Sequence, residues 1–295
     1  MSYTENKLIS LTSQSASQYF NSTYLSNVLF NTPGLVVSKP NIRNIELCLV
    51  HAEIPVSFYN INYTNNQFKY KLGTGSITIV SIPVGNYNAN TLITAMITAI
   101  NNVAFTITIN KITGVLTFNY NASFIIYTDN ANTIAKILGF TISSVGFMSV
   151  SNSTIAPYPL NLLGIKKLNI CSSKLVTNNY ITGVGSTSLL ASLSVDQSAF
   201  GLIIYQNQGG ARYTLSNKDI LSIDILISDE SFNLINFNNI DWSLVFSISV
   251  TYDFNIDPNS ALIPITPPPQ QDIKLDEKPD EKPNKNMDEL EFLTK

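Results

Sequence analysis

Nucleophilic catalysis through an imidazole would have to rest on His51, because the chain holds one histidine. It stands in the run Leu49-Val50-His51-Ala52-Glu53, where alternation makes it a strand residue, and a structural or surface role suits it better than general-base chemistry. The two cysteines, Cys48 and Cys171, lie in apolar strand-like runs. They read as buried thiols of a protein made in a reducing compartment, since two cysteines give no disulfide framework. No pair of His or Cys has zinc-ligand spacing.

The carboxylates are no more suggestive. Asp219/Asp224 and Asp229/Glu230 are the pairs a glycosidase would use, but an alternating strand that ends in a polar turn accounts for them without catalysis. Asp253-Phe-Asn255-Ile-Asp257 begins like a calcium loop, yet Pro258 and Pro264 stand where that loop needs glycine and a bidentate glutamate. Gly73-Thr-Gly75 and Gly183-Val-Gly185 lack the following helix and lysine that cradle a phosphate. Asn21, Asn62, Asn121 and Asn152 open glycosylation-type triplets in a chain so rich in asparagine that chance produces them. The Tyr- and Asn-rich turn at residues 58–66 suits contact with sugar or protein, or plain packing. The expectation is a protein that is not an enzyme, with no catalytic, cofactor-binding or metal-ligating residue and no cofactor.

What, then, do the elements position? Residues 77–140 hold the most legible run. A strand ends at Pro83, and Asn88 or Asn90 caps a helix whose buried stripe is Leu92, Ile93, Met96, Ile97 and Ile100. Lys111-Ile-Thr-Gly114 closes a hairpin, and Asn132 or Thr133 opens a second small helix that stops at Gly139. Upstream, residues 1–40 read as a polar N-terminal arm with few strand signals. Residues 42–55 alternate, with Ile45, Leu47 and Leu49 on one side and Glu46, Cys48 and Val50 on the other. Downstream, Ala156-Pro-Tyr-Pro159 breaks the chain, Leu189-Leu190 suggests a helical turn, and residues 220–227 and 242–254 alternate in period two.

About eight strands outside the central run make a two-sheet sandwich. The fold expected is all-β dominated, a single jelly-roll β-sandwich with an inserted α+β module and a disordered C-terminal tail. The domain limits expected are an arm at 1–40, a jelly roll at 41–76 and 141–257, the module at 77–140 and a Pro-rich charged tail at 258–295. Repeated Glu-Lys-Pro units and few apolar residues leave that tail without a core to join; Met287, Leu290 and Phe292 near its end could form a short docking turn.

Charge divides unevenly. Residues 1–271 carry 12 acidic and 12 basic side chains, and residues 272–295 carry 8 and 5, so the formal net charge of −3 belongs to the tail. A neutral body has no basic field to gather phosphates, which argues against direct nucleic-acid binding. Its Asn-, Ser- and Thr-rich surface tolerates burial against other subunits, as AT-rich coding alone would also arrange. No apolar run of eighteen residues and no basic-then-apolar N-terminus is present, so neither a membrane span nor an export signal is expected.

The ordered succession of these pieces carries a resemblance. Ile54-Pro55, Phe58-Tyr59-Asn60, then Gly85-Asn86-Tyr87, Leu92, Gly114 and Leu138-Gly139-Phe140 resemble the vertex (penton) proteins of virophages and related Polinton-like and large DNA viruses, over roughly residues 42–140. Similar modules occur in other virion proteins of these viruses. The resemblance implies a single jelly roll that forms a homopentamer at each icosahedral vertex and contacts the major capsid protein, with minor capsid proteins or a host receptor as further candidate partners. It implies a virion location after assembly in the host-cell cytoplasm. The alternative from a different class is a receptor- or carbohydrate-binding β-sandwich of a virion surface or fibre.

Overall fold

The computed structural model describes residues 2–36, 41–176, 180–182, 185–215, 217 and 219–253. Eight strands build a sandwich: β1 (Ser2–Thr12), β2 (Asn27–Val36), β3 (Ile42–Pro55), β4 (Lys167–Cys171), β5 (Leu189–Ser194), β6 (Leu202–Gln206), β7 (Ile220–Ser228) and β8 (Ser243–Asp253). One sheet runs β1-β8-β3-β6 and the other β5-β4-β7-β2, with every pairing antiparallel. First beside eighth and second beside seventh, with third and sixth closing one sheet and fourth and fifth the other, is the jelly-roll arrangement. Two short strands extend it, Gln18–Tyr19 beyond β2 and Tyr213–Thr214 along β3.

The core follows from period two. Leu244, Phe246, Ile248 and Val250 of β8 face Ile223, Ile225 and Ile227 of β7 across the sandwich, and all are buried. In β3 the inward set Ile45, Leu47, Leu49 gives way to Ala52 and Ile54. The change of parity is a bulge at Val50, where the register with β8 jumps from Leu49↔Phe246 to His51↔Val245. Trp242, the one tryptophan, is 1 % exposed in this core and donates its indole N–H to the Leu25 carbonyl.

Two expectations are corrected here. Residues 2–12 are not an arm: β1 pairs with β8 over its whole length, and β2 is paired along β7. Its polarity misled because β1 is an edge strand that buries only Leu11 fully, so backbone pairing rather than side-chain burial places it. Likewise Leu189 and Leu190 begin β5 rather than a helical turn, and both are buried.

Residues 56–166 form the β3–β4 connection; Val56 and Phe58 still join the sandwich core, and from Ile61 the connection builds a second core. A four-stranded sheet (Phe147–Met148, Phe124–Tyr127, Gln67–Leu72, Ile77–Ser81) and a three-stranded one (Ser153–Pro159, Val115–Asn119, Thr106–Ile109) enclose Phe68, Phe105, Phe118, Phe124, Leu138 and Phe140. The helix Ala89–Ile100 lays Leu92, Met96 and Ile100 on it. Asn88 caps that helix: its Oδ1 accepts from the Thr91 N–H while Thr91 Oγ1 accepts from the Asn88 N–H.

This second core reaches from Ile61 to Ala156, wider than residues 77–140. Residues 67–72 leave the sandwich because they pair with both Ile77–Ser81 and Phe124–Tyr127. Residues 153–159 leave it because they pair with Val115–Asn119, carrying Pro157 and Pro159 on an edge strand that tolerates them. The expected second helix is instead a run of turns at residues 134–140, fixed by a Gln67–Thr133 bridge and by the Phe140 N–H on the Ala135 carbonyl.

Candidate functional site

Four of the residues that carried the resemblance, Asn60, Gly85, Asn86 and Tyr87, meet where the module leaves the sandwich. Asn60, two residues beyond Phe58, the last buried residue of the sandwich core on this stretch, is the centre of a polar clasp. Its Oδ1 accepts from the Tyr87 N–H at 3.0 Å and its Nδ2 donates to the Tyr87 carbonyl at 2.9 Å. The same Nδ2 lies 3.3 Å from the Leu162 carbonyl, and the Asn60 N–H donates to Asn86 Oδ1 at 3.0 Å. Next to it, Ile61 and Gly85 exchange both main-chain hydrogen bonds. Entry segment, helix lead-in and exit segment are thus tied at one point.

Gly139 fixes a second close approach within the module, against Tyr158 and Pro159. It has φ +87°, and a Cβ there would lie 2.0 Å from the Tyr158 carbonyl oxygen. Only glycine permits that approach, which lets the Leu138-Gly-Phe turn pack beneath Ser153–Pro159.

A groove of about 480 Å³ runs beside the clasp, lined by Phe58, Asn60, Tyr87, Leu163 and Phe200 among others. Tyr87 donates its hydroxyl to the Pro83 carbonyl, and burial pushes its phenol upward. Asn86 Nδ2 is buried without a hydrogen-bond partner among the described residues. The lining holds amides and aromatic rings, with no histidine, cysteine or carboxylate. It can shape and hydrogen-bond a surface, but it has no acid–base pair.

The candidates for chemistry are scattered. His51 points its Nε2 at Glu53, 3.3 Å away on the same strand. Cys48 and Cys171 are buried on β3 and β4, in opposite sheets, and Cys48 Sγ accepts from Asn207 Nδ2. Asp224 is a loop clamp: Ser172 Oγ, Ser173 Oγ and the N–H groups of Ser173 and Lys174 all donate to it. Burial alone would raise its pKa, but those four bonds outweigh it and hold the carboxyl below the usual carboxylate range.

Asp229 likewise organises a turn, accepting from the N–H groups of Ser231 and Asn233 and from Asn233 Nδ2. Glu230 accepts from the Lys166 N–H. Five residues of extended chain separate Asp219 from Asp224 and Asp224 from Asp229, about 16 Å at strand rise, beyond the reach of a glycosidase couple. Gly73 and Gly75 form the turn between two strands of the module. Asn21 and Asn62 each accept from the N–H two residues on. Asn255, Asp257, Gly183 and the tail with Met287, Leu290 and Phe292 lie outside the described residues. Among the described residues no group of three or more His, Cys, Asp or Glu is placed to hold a metal, and no helix is long and apolar enough to cross a membrane.

Comparison with known proteins adds two similar solved structures. The mavirus penton protein superposes with a TM-score of 0.46 at 11% identity, over 85% of this chain and 100% of that one. A chain of the Sputnik virophage, from its structure by electron cryo-microscopy, superposes with a TM-score of 0.42 at 12% identity, over 84% of this chain and 97% of that one. No protein-family model and no curated protein matches the sequence.

The clasp was half visible in the sequence. Phe58-Tyr-Asn60 and Gly85-Asn-Tyr87 stand out as marks, but that Asn60 joins Tyr87 and Leu162 could not be read from spacing, because the three are far apart in the chain.

Proposed function

We propose that this protein is a structural virion protein, a pentameric penton at the icosahedral vertices of a double-stranded DNA virus or virophage capsid, contacting the major capsid protein. The observation that carries the reading is the architecture: one jelly roll whose β3–β4 connection holds a separately cored module, with Asn60, Gly85, Asn86 and Tyr87 of the vertex-protein resemblance forming the clasp that joins them. Polar side chains there fix the geometry of a scaffold and perform no reaction. Function lies in the faces that the two cores present, as a shell protein requires.

A ring of five needs heterologous contacts that close about an axis, which a near-neutral body favours because copies do not repel strongly. In this reading the protein resides in the virion after assembly in the host-cell cytoplasm, with the module as a separate outward domain. The test is a reconstruction of particles assembled with and without the gene for this chain. Density of this jelly roll at the five-fold vertices, lost on deletion, supports the assignment; an unchanged vertex refutes it.

A further inference from the structure

Two edge strands of this molecule carry matched, oppositely charged apolar patches. In the module, Ile77–Ser81 is the edge of its sheet, and Ile77 and Ile79 are 52 % and 51 % exposed. Their cross-strand neighbours on the same face are Lys71 and Lys69. In the sandwich, β6 is also an edge, and Leu202 and Ile204 are 44 % and 61 % exposed, continuing from Phe200. The cross-strand neighbour of Ile204 is Glu53.

The charges of the two bodies differ in sign as well. Residues 56–165 carry four lysines against one acid, Asp129, while residues 2–55 and 166–253 together carry 10 acidic and 8 basic side chains. Asp129 is already engaged by Lys69 at 2.9 Å, which lowers its pKa through that hydrogen bond and leaves Lys71 beside the isoleucines without a carboxylate of its own sheet. Exposed branched side chains at the edge of a sheet are an invitation to association that isolated proteins suppress.

Resting on the vertex-ring reading, we propose that the Ile77/Ile79/Lys71 patch of one copy docks on the Leu202/Ile204/Glu53 patch of the next. The occupant is a second copy because the chain itself supplies both halves, apolar against apolar and lysine against glutamate. Two different patches make the contact heterologous, so each copy has one of each to offer and the contact propagates around a ring. The module of every subunit would thereby grip its neighbour's jelly roll.

The test is cysteine pairing in the full chain. Ile79→Cys combined with Ile204→Cys, exposed to a mild oxidant, gives a ladder of disulfide-linked chains on a non-reducing gel, whereas each single variant gives at most linked pairs. Adding Glu53→Lys to the double variant slows linking about tenfold by placing like charges together, and adding Lys71→Glu as well restores it. A double variant that links no faster than the singles, or linking indifferent to Glu53→Lys, overturns the inference. Light scattering on the same samples separates the two ideas: a five-chain species without linking overturns this contact and leaves the ring standing.

Discussion

Asn60 pairs with Tyr87 as one strand residue pairs with another: its side-chain amide accepts the Tyr87 N–H and donates to the Tyr87 carbonyl, at 3.0 and 2.9 Å. A side chain here replaces a stretch of backbone ladder, and it does so where the module meets the sandwich. Removing it strands both polar groups of Tyr87 and one acceptor at Leu162. Asn60→Ala is therefore expected to cost about 1–3 kcal/mol, since these half-buried groups, left unpaired beside the groove, are in part satisfied by water. Asn60→Asp recovers little of it, because a second acceptor then faces the Tyr87 carbonyl. Urea unfolding of the three proteins checks both statements.

Two glycines with positive φ should respond very differently to a methyl group. At Gly73 (φ +52°) a Cβ meets nothing within 4 Å, so Gly73→Ala carries only the left-handed backbone cost of about 1–2 kcal/mol. At Gly139 the Cβ collides with the Tyr158 carbonyl oxygen, so Gly139→Ala must displace the Ser153–Pro159 strand. It is expected to cost about 1–3 kcal/mol more than the Gly73 variant, or to prevent folding of the module. Thermal unfolding followed by circular dichroism compares them.

Each core has its own optical reporter. Trp242 lies in the sandwich core, and the Ala89–Ile100 helix lies on the module core. Met96, fully buried between helix and module sheets, tests whether the two cores melt separately. Met96→Ala is expected to cost the module about 2–5 kcal/mol. The helical signal should then melt at a lower temperature than the tryptophan emission shift; coincident, equally lowered transitions would mean that the clasp couples the cores into one cooperative unit.

Asp224 supplies a pH dependence whose sign can be worked out. Its folded pKa lies below the ordinary carboxylate value, so the stability it contributes is fully present above the unfolded pKa of about 4 and is lost as pH falls through the folded value. Asp224→Asn is expected to be less stable than the wild type at neutral pH, with the gap closing as the medium is acidified below that point. Denaturant midpoints of both proteins between pH 7 and 2.5 follow the convergence; a gap independent of pH would assign the loop clamp to neutral hydrogen bonding alone.

The strands with a buried face were legible because burial writes itself into period two: β7, β8 and β3 were readable from Ile, Leu and Phe alone, and so was the helix with its Asn88 cap. β1 was not, since its eleven residues expose nearly every side chain and are placed by β8, whose pattern says nothing about which segment will lie beside it. Removing residues 2–12 uncovers the whole edge of β8 and is expected to destabilise the sandwich itself, not only its assembly, which limited proteolysis of the truncated chain would show. The module limits were hidden for a related reason: residues 67–72 and 153–159 look like any strands, and only their partners at 124–127 and 115–119 decide to which core they belong. In residues 134–138, a capping Asn132 or Thr133 and a terminating Gly139 suit a helix, but the bridge of Thr133 to Gln67 ties the backbone to the module sheet and leaves turns.

The native mass of the purified protein bears most directly on the vertex assignment. Light scattering over a range of concentration and salt should reveal a species near five times 32.5 kDa, growing with concentration and weakening as salt screens the contact between lysine and glutamate. A species near three times the chain mass would contradict the account and place the protein in a fibre or in the main shell.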